Sequence, residues 1–121
     1  MTRFLARAVA LTLFASVSFA AEPSPWPRFR GPDGSGIAAG AKPPTEIGPE
    51  TNVKWKVATP SGLSSPIIVG DLVVITAFDN GKLFTIAYRD ADGKEVWRAD
   101  ARAKEIEAFH KTESSPAAST P

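Results

Sequence analysis

The chain has 121 residues, 43% of them hydrophobic and 22% charged, with 14 Lys and Arg against 13 Asp and Glu. This balance is ordinary for a folded chain and excludes a highly charged disordered type. It also leaves no basic stripe for nucleic acid, so that partner class is not expected. Cysteine is absent, so stability has to come from packing without disulfides.

The first twenty residues read as an export signal. Arg3 and Arg7 form a short positive segment, Ala8 to Phe19 is an apolar run, and Ser18 and Ala20 are small residues before a cut between Ala20 and Ala21. A retained membrane anchor is the competing reading, but the run is shorter than the ~20 residues that span a bilayer. With 1–20 removed, the remainder carries 12 basic and 13 acidic residues, a net charge of −1, because Arg3 and Arg7 belong to the leader. No cysteine follows the apolar run, which excludes a lipid anchor of the bacterial lipoprotein kind. A periplasmic or secreted location is expected, with no membrane span after cleavage.

Residues 21–52 form an arm dense in proline and glycine, which favours extended chain and turns. Within it, Trp26-Pro27-Arg28-Phe29-Arg30-Gly31-Pro32 concentrates aromatics and arginines. Both residue types favour interfaces, so this loop is a candidate binding element. The plainer alternative is that Trp26 and Phe29 tuck the arm against the rest of the fold.

Strand signals then follow in order. Val53 to Val57, within 53–60, has the form of an outer strand. Four further strands are predicted over Ser65–Val69, Leu72–Phe78, Leu83–Tyr88 and Glu95–Ala99. The second is apolar almost throughout, as a strand buried on both faces is. Asn80-Gly81 favours a type I′ hairpin turn, Gly93 is the left-handed residue of the next turn, and Gly70-Asp71 closes the first. Short turns between successive strands imply an antiparallel meander over 64–100.

Ser64-Ser65-Pro66 returns as Ser114-Ser115-Pro116. A repeat of ~40–50 residues built from four short strands is the mark of a β-propeller blade. The second copy, 114–121, is then the first strand of a following blade. Residues 53–60 are expected to complete a last blade, or alternatively to add a fifth strand to this one. The fold class is therefore all-β: a propeller fragment with one four-stranded antiparallel blade and flanking strands, preceded by a signal peptide.

Between Trp97 and Ser115 lie 17 residues, against 9 between Trp55 and Ser65. The excess falls in 101–113, an inserted loop in which Ala101 to Phe109 has the composition of a short helix. Glu107 and His110 would share one face of that helix. His110 is the only histidine, and with nearby carboxylates it is a weak candidate for metal binding or acid–base work. A solvated loop against a neighbouring blade is the alternative.

The span Ala87 to Trp97 resembles the repeat of PQQ-binding-like (quinoprotein-like) propellers, keeping Ala87, Gly93, Lys94 and Trp97 in the family's places. It departs from that repeat at Arg89 and Asp92. The arm from Trp26, with Ser64-Ser65-Pro66-Ile67, is similar to the start of exported bacterial proteins of this type. The resemblance implies that the glycine makes a turn and the tryptophan docks a blade on its neighbour. It implies a non-catalytic binding or scaffold protein of the cell envelope, with other envelope proteins as partners. A PQQ-dependent alcohol or sugar dehydrogenase, using PQQ with calcium and an active site downstream, is the alternative. No catalytic residue is identified, and a single blade with open edges is expected to self-associate.

Overall fold

The computed structural model describes residues 25–106, 108–110 and 114–121. Residues 1–20, read above as an export signal, lie outside them. Four strands form: β1 (Ile67–Val69), β2 (Leu72–Asp79), β3 (Lys82–Arg89) and β4 (Glu95–Asp100). They make one antiparallel sheet in the order β1-β2-β3-β4. The predicted meander is present, and no helix occurs among the described residues.

The turns that hold the meander follow from residue type. Asn80 and Gly81 both adopt positive φ, 48° and 77°, as a type I′ turn requires. At the first turn only Gly70 is positive, at 59°, so it is not a second copy of the Asn-Gly turn.

The Asn80-Gly81 turn sets the β2–β3 register, from Asp79 opposite Lys82 to Leu72 opposite Arg89. Because side chains alternate, that register divides the apolar residues between two faces. Ile67, Val74 and Ala87 cluster on one, with Leu72 against them. Ala77, Ile86 and Tyr88 cluster on the other, joined by Trp55, Ile75 and Phe84. The expectation of burial on both faces of β2 rests on Val74 and Ala77, which are buried on opposite sides.

β1 is shorter than the expected 65–69. Pro66 has no N–H to give to a ladder, and the β1–β2 pairing stops at Ile67 opposite Val74. Pairing resumes upstream at Ser61, whose carbonyl accepts the Phe78 N–H at 2.7 Å. Across the gap the Ser64 hydroxyl takes over: it accepts the Thr76 N–H at 3.0 Å and donates to the Thr76 carbonyl at 3.2 Å. One side chain thereby satisfies both main-chain groups of the residue that the gap would leave unpaired.

The flanks carry no named strand or helix among the described residues. Residues 53–60 form no strand in this sheet, and Trp55 reaches the β3–β4 turn. Ala101 to Phe109 forms no helix over its described residues. The Ala101 N–H extends the sheet by bonding the Leu83 carbonyl at 2.9 Å, and Arg102 then takes φ +21°, which breaks any helical turn starting there. Residues 114–121 form no strand either, but the segment is bonded to Leu63, next to the first copy of its motif, and to Thr76 on β2. The Leu63 N–H bonds the Ala117 carbonyl at 2.9 Å, and the Thr76 hydroxyl donates to the Ser119 carbonyl at 2.7 Å.

The core is small. Among the described residues only Ile67, Val74, Ala77, Ile86, Ala87, Tyr88 and Ala117 are buried hydrophobics, and β4 is exposed along its whole length. The Tyr88 hydroxyl is buried without a hydrogen-bond partner. Burial, with the Glu95 charge adding to it, pushes its pKa up. So little enclosed apolar surface opposes chain entropy weakly. Heating residues 21–121 in a calorimeter is therefore expected to give a broad, shallow trace; a sharp two-state peak from a monomer would contradict this.

Candidate functional site

Two tryptophan–glycine stacks shape the surface around the sheet. In the arm, Trp26 pairs with β1: its N–H donates to the Ile68 carbonyl at 3.0 Å, and the Ile68 N–H donates back at 2.9 Å. The chain then folds over so that Gly31, at φ +80°, lies beneath the Trp26 ring, where a Cβ would fall 2.7 Å from Cη2 and Cζ3. Only glycine permits both that φ and that approach.

The loop beyond is tied internally. Asp33 accepts from the Ser35 N–H at 2.9 Å and from its hydroxyl at 2.7 Å, and Arg30 Nη2 donates to the Ser35 carbonyl at 3.1 Å. The Ser35 hydrogen bonds hold the Asp33 carboxyl below the usual carboxylate range.

This arrangement leaves a hollow of about 530 Å³ between arm and sheet, walled chiefly by Trp26, Phe29, Arg30, Pro66, Ile68 and Val73. The aromatic–arginine loop is thus divided between the two readings the sequence allowed. Trp26 tucks the arm in, whereas Phe29 stays 61% exposed. An apolar recess with an aromatic and a guanidinium at its rim suits binding of a partner's side chains, by the general composition of interfaces.

The second stack joins 53–60 to the blade motif. Gly93, at φ +71°, lies beneath Trp55, where a Cβ would fall 2.6 Å from Cδ2 and Cε3. The Trp55 indole N–H donates to the Asp90 carbonyl at 2.6 Å, and Lys54 Nζ meets the Asp90 carboxylate at 2.7 Å. Inside the turn the Arg89 N–H bonds the Lys94 carbonyl and the Gly93 N–H bonds the Arg89 carbonyl, both at 2.8 Å. The Asp92 carboxylate accepts the Lys94 N–H at 3.0 Å and pairs with Arg89 at 2.9 Å. These contacts, the Lys94 N–H first, draw the Asp92 pKa down.

The four blade-motif residues take distinct places. Ala87 is buried in the sheet, Gly93 makes the turn, Lys94 is exposed, and Trp97 lies opposite Ala87 with 40% of its surface open. The tryptophan that covers Gly93 is Trp55, not Trp97. Sequence reading placed Gly93 in its turn but gave no sign of this cover, because the two residues are far apart in the chain.

Of the weak pair Glu107 and His110, the structure describes only His110. Glu107 lies outside the described residues, and 101–106 and 108–110 show no helix. The exposed His110 instead has its backbone bound by Ser114, whose hydroxyl accepts the His110 N–H and donates to the His110 carbonyl, each at 3.1 Å. A hollow of about 380 Å³ does lie in this loop, bounded by Leu83, Glu105, Phe109 and Pro116 among others. Phe109 meets Phe78 edge-on, with ring centroids 5.3 Å apart. No group of three or more metal-ligating side chains occurs among the described residues. No helix long and apolar enough to cross a membrane occurs among the described residues.

Replacing Gly93 with Ala should displace the Trp55 ring and strain the turn, a left-handed non-glycine residue costing ~1–2 kcal/mol. Loss of the downfield-shifted Trp55 indole proton in an NMR spectrum, with Trp26 unchanged, would register it. On β4, Arg98 bonds Glu95 bidentately at 2.9 and 3.1 Å and stacks over the Phe84 ring at 5.3 Å. The Arg98 hydrogen bonds are the first cause that lowers the Glu95 pKa. A lowered folded pKa means that the pair contributes fully above the ordinary glutamate value and is lost as pH falls below it. The Phe84 ring signals should therefore hold steady from neutral to mildly acidic pH and move only in more acidic solution.

Comparison with protein-family models, with curated proteins and with solved structures gave no match for this chain.

Proposed function

We propose that this chain is an exported, non-catalytic binding or scaffold protein of the cell envelope, built on a propeller of the PQQ-binding-like type. The observation that carries the binding role is the arm. Its aromatic–arginine loop is pinned to β1 by the paired Trp26 and Ile68, yet it leaves Phe29 exposed beside an apolar hollow. Ordered recognition groups on a loop held by a sheet are the usual arrangement for binding.

The propeller reading is supported by the four-stranded meander and by the second Ser-Ser-Pro segment lying along the approach to the first. A following sheet that began there would start next to this one, as successive blades do. The exposed Trp97 then faces a neighbouring blade. The apolar run 8–19 and the small residues at 18 and 20 support export to the periplasm or beyond.

A photo-crosslinking residue at position 29, in the chain expressed with its leader, tests this function. Crosslinks to an envelope protein are expected from position 29 and not from position 91, on the exposed β3–β4 turn. Trp26→Ala should abolish them by releasing the arm. Equal labelling from both positions, or retention of the whole product in the cytoplasm, would remove the proposal. Added PQQ and calcium should give no dye reduction with alcohols or sugars; turnover would favour the dehydrogenase.

A further inference from the structure

The chain contains three Asx–Gly pairs: Asp33-Gly34, Asn80-Gly81 and Asp92-Gly93. Such pairs are the places where a backbone nitrogen can attack the preceding side chain, since glycine offers no side chain to obstruct the ring closure. The three differ in what the structure does with the attacking nitrogen and with the carbon it must reach.

At Asp33-Gly34 the Gly34 N–H is bonded to the Gly31 carbonyl at 3.2 Å, and the carboxylate is held by Ser35. At Asp92-Gly93 the Gly93 N–H is bonded to the Arg89 carbonyl at 2.8 Å, and the carboxylate is held by Lys94 and Arg89. Both carboxyls are drawn below their ordinary pKa by these hydrogen bonds. An ionised carboxylate is a poor electrophile with no good leaving group. Both pairs are therefore protected twice, at nitrogen and at carbon.

Asn80-Gly81 has neither protection. It forms the exposed tip between two eight-residue strands. The Gly81 N–H donates no turn or loop hydrogen bond among the described residues, and nothing lies within 4 Å of the position a Gly81 Cβ would take. The side chain is a neutral amide whose nitrogen can leave as ammonia. Its amide makes an exposed hydrogen bond from Nδ2 to the Asp79 carboxylate at 3.1 Å.

We propose that Asn80 is the chain's site of spontaneous succinimide modification. The Gly81 nitrogen, losing its proton, bonds to Asn80 Cγ. The Cγ–Nδ2 bond breaks and ammonia departs, leaving a five-membered imide. Water then opens the imide at either carbonyl. Attack at the former side-chain carbonyl gives aspartate, and attack at the main-chain carbonyl gives isoaspartate. The net change is one water consumed and one ammonia released, with no oxidation or reduction.

The consequence is structural as well as chemical. Isoaspartate routes the main chain through the side-chain carbon and adds a methylene to a turn of two residues. The Asp79–Lys82 pairing that closes the hairpin cannot survive that extra length in a type I′ turn. The new carboxylate also sits beside Asp79, adding like-charge repulsion at the tip.

Incubating the 121-residue chain at mildly alkaline pH, followed by tryptic digestion and mass spectrometry, tests the proposal. Peptide 57–82 contains no asparagine other than Asn80. It should gain the mass of an amide-to-acid change and yield separable aspartate and isoaspartate forms. Asn80→Gln should lose this gain, and Gly81→Ala should slow it. The modified fraction should show faster amide exchange at residues 79 and 82. Aspartate without isoaspartate, no mass gain in 57–82, persistence in Asn80→Gln, earlier isomerisation at Asp33 or Asp92, or unchanged exchange would each overturn the proposal.

Discussion

The β2–β3 hairpin is the constraint on which the other parts of this chain depend. Its turn residues both adopt positive φ, so the strands leave the turn in one register, and every later contact inherits it. Val74 then faces Ala87 while Ile75 faces Ile86, which produces one apolar cluster on each side. A slip of a single residue would exchange the two sets. The small core tolerates no such exchange, because its buried positions are few and include alanines that no larger neighbour replaces.

Around this hairpin, side chains complete what the main chain leaves open. The Ser64 hydroxyl serves both polar groups of Thr76 where the ladder is interrupted between Ser61 and Ile67. Ser114, in the second copy of the motif, binds both polar groups of His110 in the same two-sided manner. The tryptophans act through glycine: Trp26 closes on Gly31, and Trp55 closes on Gly93. In each stack the missing Cβ lets the ring approach the backbone. An otherwise irregular segment is thereby attached to the sheet, at β1 in one case and at the β3–β4 turn in the other.

These attachments also determine which surface is available for binding. With Trp26 committed to β1 and Gly31, the remaining members of the loop, Phe29 and Arg30, stand at the rim of the hollow beside Ile68 and Val73. The ordered rim follows from the arm's own hydrogen bonds and from one pair of main-chain bonds to the sheet, so recognition groups are presented without a large core beneath them. The opposite edge, β4, shows a different economy. It is exposed along its length, carries the Glu95–Arg98 pair, and is irregular where Ala87 and Tyr88 meet it. Charge and a bulge are both known means of keeping an edge strand from pairing with another chain.

What the sequence by itself determined were the local features. Four strands, three turns and the left-handed role of Gly93 follow from alternation, β-branched residues and Asx–Gly pairs, each encoded within a few neighbouring positions. The tertiary structure alone decided the long-range features. Val53 to Val57 has a strand's composition, yet it became the support of a ring that covers Gly93. Ala101 to Phe109 has a helix's composition, yet the Leu83 carbonyl took the Ala101 N–H and Arg102 turned left-handed, so the helix did not form. Phe29 and Trp26 are equally apolar neighbours in sequence, but only one of them found main-chain partners on β1. Local propensities amount to fractions of a kcal/mol per residue. A single long-range hydrogen bond or ring contact outweighs them, and its partner is not legible until the chain has folded back on itself.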